Sequence, residues 1–340
     1  MTARLTRPRL MELIERIQSA RIGVIGDFTL DGYWHADMER AELSRETPLF
    51  PRPIVQEAYS LGGAANVAWN LADLRVREVQ AFSVLGEDWR GALLRGLLAK
   101  EGIRADGLFT QADRVSPFYG KIMLRAVGRA AQEDARVDFI NTHPVAPEME
   151  DALLNHLSEA MLNLDALIVA DYQEQGVMTT RVIEGLLALA KATPQMPVVV
   201  DSRSRAAAYR SFILKPNEME AARLFFPEQD PGAVRFEALV EAAIAYQAGS
   251  GKPIFITRGA EGCLVCYEGR CEAVAGVPVT GPVDTVGAGD AFIAALAASL
   301  SANAGPIEAA CFANLAASIT VKKIGMTGTV SPEELLHQFE

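Results

Sequence analysis

Apolar and polar positions follow two rhythms along this chain. Short unbroken apolar runs occur at residues 22–25, 79–84, 166–170, 198–200, 212–214 and 254–257. Runs of that length suit strands covered on both faces. Between them, residues 90–100, 149–163 and 179–192 carry apolar side chains at helical spacing. The alternation predicts an α/β fold: a mostly parallel central sheet with helices on both faces.

Two segments break the rhythm. Residues 32–60 are rich in Pro, Arg, Glu and aromatic residues and read as extended, as do residues 115–141, with a second strand expected at 136–140. Both sit where a small β lid could be inserted into the main fold. No internal repeat, low-complexity tract or flexible linker divides the chain, so the expectation over 1–340 is one main domain carrying a lid.

The chain has 340 residues, 50% of them hydrophobic, enough for a sizeable core that needs neither disulfide nor structural metal. Its formal charge of −11 argues against a nucleic-acid surface, which needs a concentrated basic face. It leaves phosphorylated small molecules open, since a few placed cations and backbone amides suffice to hold them. The first twenty residues form a charged amphipathic pattern with Leu10, Leu13 and Ile17 on one face and no secretory apolar stretch. No run is long enough to cross a bilayer, and a cytoplasmic location is expected. Cys263, Cys266 and Cys271 fall in two β-rich runs about a Tyr-Glu-Gly-Arg turn. A hairpin would put Cys263 and Cys266 on opposite faces, so structural cysteines are expected rather than zinc or redox chemistry.

The strongest chemical signal is Asp284-Thr-Val-Gly-Ala-Gly-Asp290 before a small-residue helix. Gly287, Ala288 and Gly289 would leave free backbone N–H groups at the helix start, where the dipole also favours an anion. Asp290 in the first turn could take a proton from an attacking hydroxyl while those amides stabilise phosphate charge. An acidic residue there could equally serve only the helix dipole. Upstream, Gly26-Asp27 ends the first strand, with Asp31 one turn or loop later, where carboxylates line ligand crevices. Leu61-Gly62-Gly63-Ala-Ala-Asn66 opens a helix and offers close backbone approach and an amide. In Lys215-Pro-Asn217-Glu-Met-Glu220, Asn217 and Glu220 could form a capping box or hold water around Mg²⁺. Thr257, Gly259 and Gly262 form a Thr-Arg-Gly-x-x-Gly turn that suits phosphate or is a plain turn.

Taken in order, GD…D, GGAAN, PNxxE, TRGxxG and DTVGAGD resemble the PfkB family of carbohydrate kinases, which have the ribokinase-like fold, from about residue 21 onward. The resemblance implies ATP and Mg²⁺, with Asp290 as catalytic base and Gly287, Ala288 and Gly289 as anion hole. It implies Asp27, Asp31, Gly62, Gly63 and Asn66 at the sugar, and Asn217 and Glu220 at Mg²⁺ and phosphate. Thr257, Gly259 and Gly262 would form the nucleotide loop, Asn314 would lie at adenine, and Asp284 near a monovalent cation such as K⁺.

Within the family, GDFTLDGYW, LSRETPLFP, GGAANVAWNLADL, ADYQEQGV and GTVSPEEL are similar to the kinase part of bacterial bifunctional ADP-heptose synthesis enzymes. This implies D-glycero-β-D-manno-heptose 7-phosphate as substrate, phosphorylated at C1, with Asp171 and Lys121 facing it. No adenylyltransferase motif occurs, so a stand-alone kinase is expected. The chain departs from that pattern at ADYQEQG, at Asp201-Ser-Arg-Ser and in the stretch 130–140. Lys121, Arg125, Arg129, Arg136, Arg203 and Arg205 are candidates for a remote phosphate. Other sugars, hexose phosphates or nucleosides are alternative substrates, and a catalytically silent binder is the alternative class. A nicotinamide dehydrogenase ranks last, because no GxGxxG follows the first strand. Family resemblance also implies a homodimer through the lid.

Overall fold

The computed structural model describes residues 5–125, 132–325 and 327–339. In chain order the strands are β1 (Arg21–Gly26), β2 (Phe28–Asp37), β3 (Ile54–Gly63), β4 (Glu78–Gly86), β5 (Arg104–Gln111), β6 (Phe118–Arg125), β7 (Gln132–Phe139), β8 (Ala166–Asp171), β9 (Val198–Ser202), β10 (Ile213–Leu214), β11 (Ile254–Thr257), β12 (Gly262–Tyr267) and β13 (Arg270–Ala275). The helices are α1 (Arg7–Ile17), α2 (Ala64–Asp73), α3 (Trp89–Lys100), α4 (Pro147–Met161), α5 (Thr180–Ala190), α6 (Glu218–Phe225), α7 (Phe236–Ser250), α8 (Ala288–Ser301), α9 (Pro306–Thr320) and α10 (Pro332–Gln338). Every apolar run expected to be a strand is one, although β10 keeps only Ile213 and Leu214 of its run.

Nine strands form the main sheet in the order β13-β12-β11-β10-β9-β8-β1-β4-β5. Its pairs are parallel from β11 to β5, while β12 and β13 run antiparallel at one edge. Alternation along the strands divides the core in two, as side chains of period two require. Ala166, Ile168 and Ala170 of β8 join the core with α1, α2, α8 and α9, whereas Leu167 and Val169 join the core with α4, α5 and α7. The same rule separates Cys263 from Cys266, which fall in opposite cores.

The hairpin β12–β13 turns through Glu268 and Gly269, both at positive φ, the geometry of a two-residue hairpin loop. Its register partners Cys266 and Cys271 are joined as a disulfide, a bond the sequence reading did not anticipate.

A second sheet has the order β3-β2-β6-β7 and is built from the two segments that broke the helix–strand rhythm. Residues 38–40 interrupt the first of them with a turn of 3-10 helix. β2 follows β1 after one residue, so Asp31 lies on a strand of this second sheet and not on a turn or loop. Gly26 makes the passage possible: its φ is +145°, and a Cβ there would lie 2.0 Å from the Ala170 carbonyl oxygen. Only glycine tolerates that backbone and that approach. We expect Gly26→Ala to lower stability by about 3 kcal/mol, read as a fall in urea midpoint with unchanged m-value.

Candidate active site

The carboxyl ends of β1, β8, β9, β10 and β11 converge on one crevice, as expected for an open parallel sheet. A polar cleft of about 460 Å³ there is lined by Asp290, Gly287, Gly289, Asn217, Glu220 and Thr257. The second sheet forms its opposite wall. Thr29 and Asp31 of β2 share a face with Tyr119 and Lys121 of β6 and Arg136 of β7, in the register Asp31↔Tyr119 and Lys121↔Arg136.

Gly287, at φ +80°, ends the preceding loop as the N-cap of α8, and Asp290 is the third residue of the helix. Its carboxylate accepts from Asn66 Nδ2 at 2.8 Å and from the Tyr172 hydroxyl at 3.2 Å. Asn70 Nδ2 donates to the Asn66 side-chain oxygen, which turns the Asn66 amide nitrogen toward Asp290. Burial pushes the Asp290 carboxyl up to about 6, with Asn66, Lys215 and Tyr172 pulling against it. Asp31 is also pushed up to about 6 by burial, opposed by Lys121 and Arg136.

Lys215 is buried directly below this helix start. Its Nζ lies 3.0 Å from Asp201 Oδ2 and is the nearest group to the space beside Gly289. Burial alone would lower the ammonium pKa, but Asp201 reverses the sign and raises it. Asn217 and Glu220 form the capping box: Asn217 Oδ1 accepts from the Glu220 N–H, and Glu220 Oε2 accepts from the Asn217 N–H, both at 2.9 Å. The box fixes both side chains at the cleft wall.

A second cavity of about 540 Å³ adjoins the first, sharing Thr257 and Gly289. Val277, Val279, Val283 and Phe292 give it apolar walls, and Gly259, Gly262, Ala288 and Asn314 also line it. Asn314 donates through Nδ2 to the carbonyls of Val274 and Ala275, both at 3.2 Å, fixing β13 against α9.

Not every expected residue faces the cleft. Asp27 is buried, and its carboxylate accepts from the backbone N–H groups of Tyr172, Gln173 and Val177, each at 2.8 Å. Burial pushes it up to about 6 against those three amides. Asp171 is likewise enclosed, bound by Arg205, the Ser202 hydroxyl and the Tyr209 hydroxyl. Both carboxylates hold loops that surround the cleft. Gly62 is needed for space, since a Cβ there would lie 2.3 Å from Asp31 Oδ1. The Asp284 carboxylate accepts from the N–H groups of Val286 and Gly325. Of the remote-phosphate candidates, Lys121, Arg136 and Arg203 line the cleft, Arg205 is committed to Asp171, and Arg129 lies outside the described residues. Arg125 ends β6 as an exposed residue away from the cleft lining.

Sequence reasoning missed Tyr172, Asp201, Lys215, Thr29, Tyr119 and Thr327, all of which line the cleft. Asp201 lies at the carboxyl end of an apolar strand, as Asp27 lies just past one, so the carboxyl-end rule could have found it. Thr29 Oγ1 is buried and finds no hydrogen-bond partner among the described residues, a sign only the folded structure gives. No cluster of three or more His, Cys, Asp or Glu side chains suited to a metal occurs among the described residues. No described helix is long and apolar enough to cross a membrane.

Comparison with known proteins places the chain in a family and a fold. The bifunctional protein HldE of Pelobacter propionicus is 33% identical over 338 residues, covering 97% of this chain and 65% of that protein. HldE of Wolinella succinogenes is 33% identical over 322 residues, with 92% and 64% covered. The chain thus spans about 65% of the length of the curated relatives it matches. Among solved structures, Arabidopsis thaliana ribokinase complexed with ribose and ATP superposes with TM-score 0.70 at 20% identity, covering 95% of this chain and 99% of that one. Escherichia coli phosphofructokinase-2 in complex with substrates and products gives TM-score 0.69 at 20% identity, with 94% and 98% covered. These structural likenesses establish the ribokinase-like fold. The sequence model of the pfkB family carbohydrate kinases matches residues 36–333, and the chain belongs to that family.

Proposed function

We propose that this chain transfers the γ-phosphoryl group of Mg-ATP to a hydroxyl of a phosphorylated sugar, with D-glycero-β-D-manno-heptose 7-phosphate, taken at C1, as the best reading. The observation that carries the reaction is the placement of Asp290 and Gly289 where a polar and an apolar cavity meet. The apolar cavity suits a nucleoside and the polar one a polyhydroxylated acceptor.

Asp290 acts as the base. Its buried carboxylate, ionised above about pH 6, takes the hydroxyl proton as the oxygen attacks phosphorus. The Gly287 and Gly289 amides at the start of α8, together with its dipole, stabilise the equatorial phosphate oxygens, while the expected Ala288 N–H is taken by the Thr285 carbonyl at 3.2 Å. Asn217 and Glu220, fixed by their capping box, are placed to hold the water shell of Mg²⁺, which supplies charge neutralisation to the phosphates when bound. Asp284 is the candidate for a neighbouring K⁺. The second sheet serves as a lid, with Asp31 and Thr29 toward sugar hydroxyls and Lys121, Arg136 and Arg203 toward the distal phosphate. Its outer edges, β3 and β7, carry exposed Ile54, Val55, Val137 and Phe139, which favours pairing of two lids in a homodimer.

The relationship to HldE supports the heptose assignment. Another sugar phosphate remains the second reading because the segment Asp201-Ser-Arg203-Ser places Arg203 in the cleft, where the heptose pattern has a different sequence.

Asp290→Asn is expected to lower kcat by about 10²–10⁴-fold with ATP affinity nearly unchanged, measured as ADP release beside nucleotide titration. For the wild type, kcat/KM should fall as pH drops through about 6, more steeply than one proton requires, because Asp31 and Asp290 both titrate there. Arg136→Ala and Lys121→Ala should each raise the KM of the sugar phosphate about 10–100-fold and leave the KM for ATP in place. Equal KM values for wild type and both variants, across heptose 7-phosphate and fructose phosphates, would overturn the distal-phosphate assignment.

A further inference from the structure

Asp290 does not meet its neighbours independently. The Tyr172 hydroxyl lies between two carboxylates, 3.2 Å from Asp290 Oδ1 and 3.3 Å from Asp201 Oδ2. It has one proton and can donate to only one of them at a time. Asp201 Oδ2 also faces the Lys215 ammonium at 3.0 Å, which satisfies much of its demand for a donor. The competition therefore favours Asp290. Burial, then the nearby charges of Asp201 and Asp290, push the Tyr172 phenol well above its ordinary range, so it remains a donor throughout the working pH.

The ring itself is held from two sides. The Tyr172 backbone N–H donates to Asp27 at 2.8 Å, and the Arg203 guanidinium lies 5.2 Å from the ring centroid. We propose that Tyr172, backed by the Asp201–Lys215 ion pair, is a positioning residue that orients the Asp290 carboxylate and holds it in its proton-accepting form. This rests on Asp290 being the base. The second Asp290 oxygen is fixed by Asn66, so the two donors together define the plane of the carboxylate.

The groups that face Asp290 set the sign of each substitution. Asn66 from α2 and Tyr172 beyond β8 donate to it, Lys215 beyond β10 attracts its charge, and Asp201 of β9 repels it. Asp31, Lys121 and Arg136 stand across the cleft, and Arg203 and Glu220 lie along its wall. Removing the Tyr172 donor should raise the pH at which Asp290 gains its proton, whereas removing the Asp201 charge should lower it.

The test is the acid limb of the pH–rate profile for ADP release, from about pH 5 to 9, in wild type, Tyr172→Phe, Asp201→Asn and Asp290→Asn. Tyr172→Phe is expected to move the limb up by about half to one pH unit and to lower kcat severalfold with the KM for ATP unchanged. Asp201→Asn is expected to move it down. Loss of packing alone has no reason to shift the two limbs in opposite directions. Asp201→Asn leaves a buried lysine unpaired, so thermal midpoints are measured alongside; if that variant does not fold, Tyr172→Phe decides. An acid limb in Tyr172→Phe that coincides with wild type, beside an inactive Asp290→Asn, overturns this proposal alone. Full turnover by Asp290→Asn overturns the base assignment and this proposal with it.

Discussion

The site depends on one buried carboxylate that never reaches it. Asp27 accepts three backbone N–H groups from residues 172–177. Its own backbone N–H donates to the Ala170 carbonyl. That cluster ties the end of β1 to the loop beyond β8 at the point where the chain leaves the main sheet for the second one. Burying a charge without partners is prohibitive, and three directed amides offset the loss of water. A Cβ on Gly176 would lie 2.3 Å from Asp27 Oδ1, so the loop closes on the carboxylate with no room for a side chain. From this junction follow the position of Asp31 over the cleft and that of Tyr172 beside Asp290.

The same logic governs the rest of the cleft. Its charges sit in opposed sets, with Asp201 against Lys215 and Asp31 facing Lys121 and Arg136. Among the described residues Asp290 has no directly bonded cation and is held instead by neutral donors, Asn66 and Tyr172. A carboxylate salt-bridged to lysine would be too weak a base for a hydroxyl proton, whereas one in a dry site with neutral donors keeps its basicity. The small side chains of α8 serve this arrangement, because Ala291, Ala294, Ala295 and Ala298 let the helix pack closely with its N-terminus aimed at the crevice.

Much of this was legible in the sequence because the determinants are local. Apolar runs of three to six residues marked the strands, and the glycines before Asp290 marked a helix start. The Asn217–Glu220 spacing announced the capping box that is present. Asp27 and Asp171 were expected at the substrate, but a carboxylate at a strand end can face ligand or protein, and the choice depends on partners remote in the chain: backbone amides of residues 172–177 for Asp27, and side chains of Ser202, Arg205 and Tyr209 for Asp171. Tyr172 and Lys215 were passed over because a tyrosine or lysine beside a motif has no local signature. The Cys266–Cys271 bond needed the hairpin register, which the Glu268–Gly269 turn sets.

By itself the sequence determined the alternation of elements, the two-faced sheet, the family and the identity of the candidate base, because periodicity and backbone-limited glycines are properties of neighbouring residues. Tertiary structure alone decided which carboxylates are free to meet a ligand. It also decided that Asp31, Lys121 and Arg136 share one face, and that Tyr172 links Asp201 to Asp290. Those outcomes turn on distances between residues remote in the chain, and on burial, which sets a side chain's charge only once the fold has excluded water.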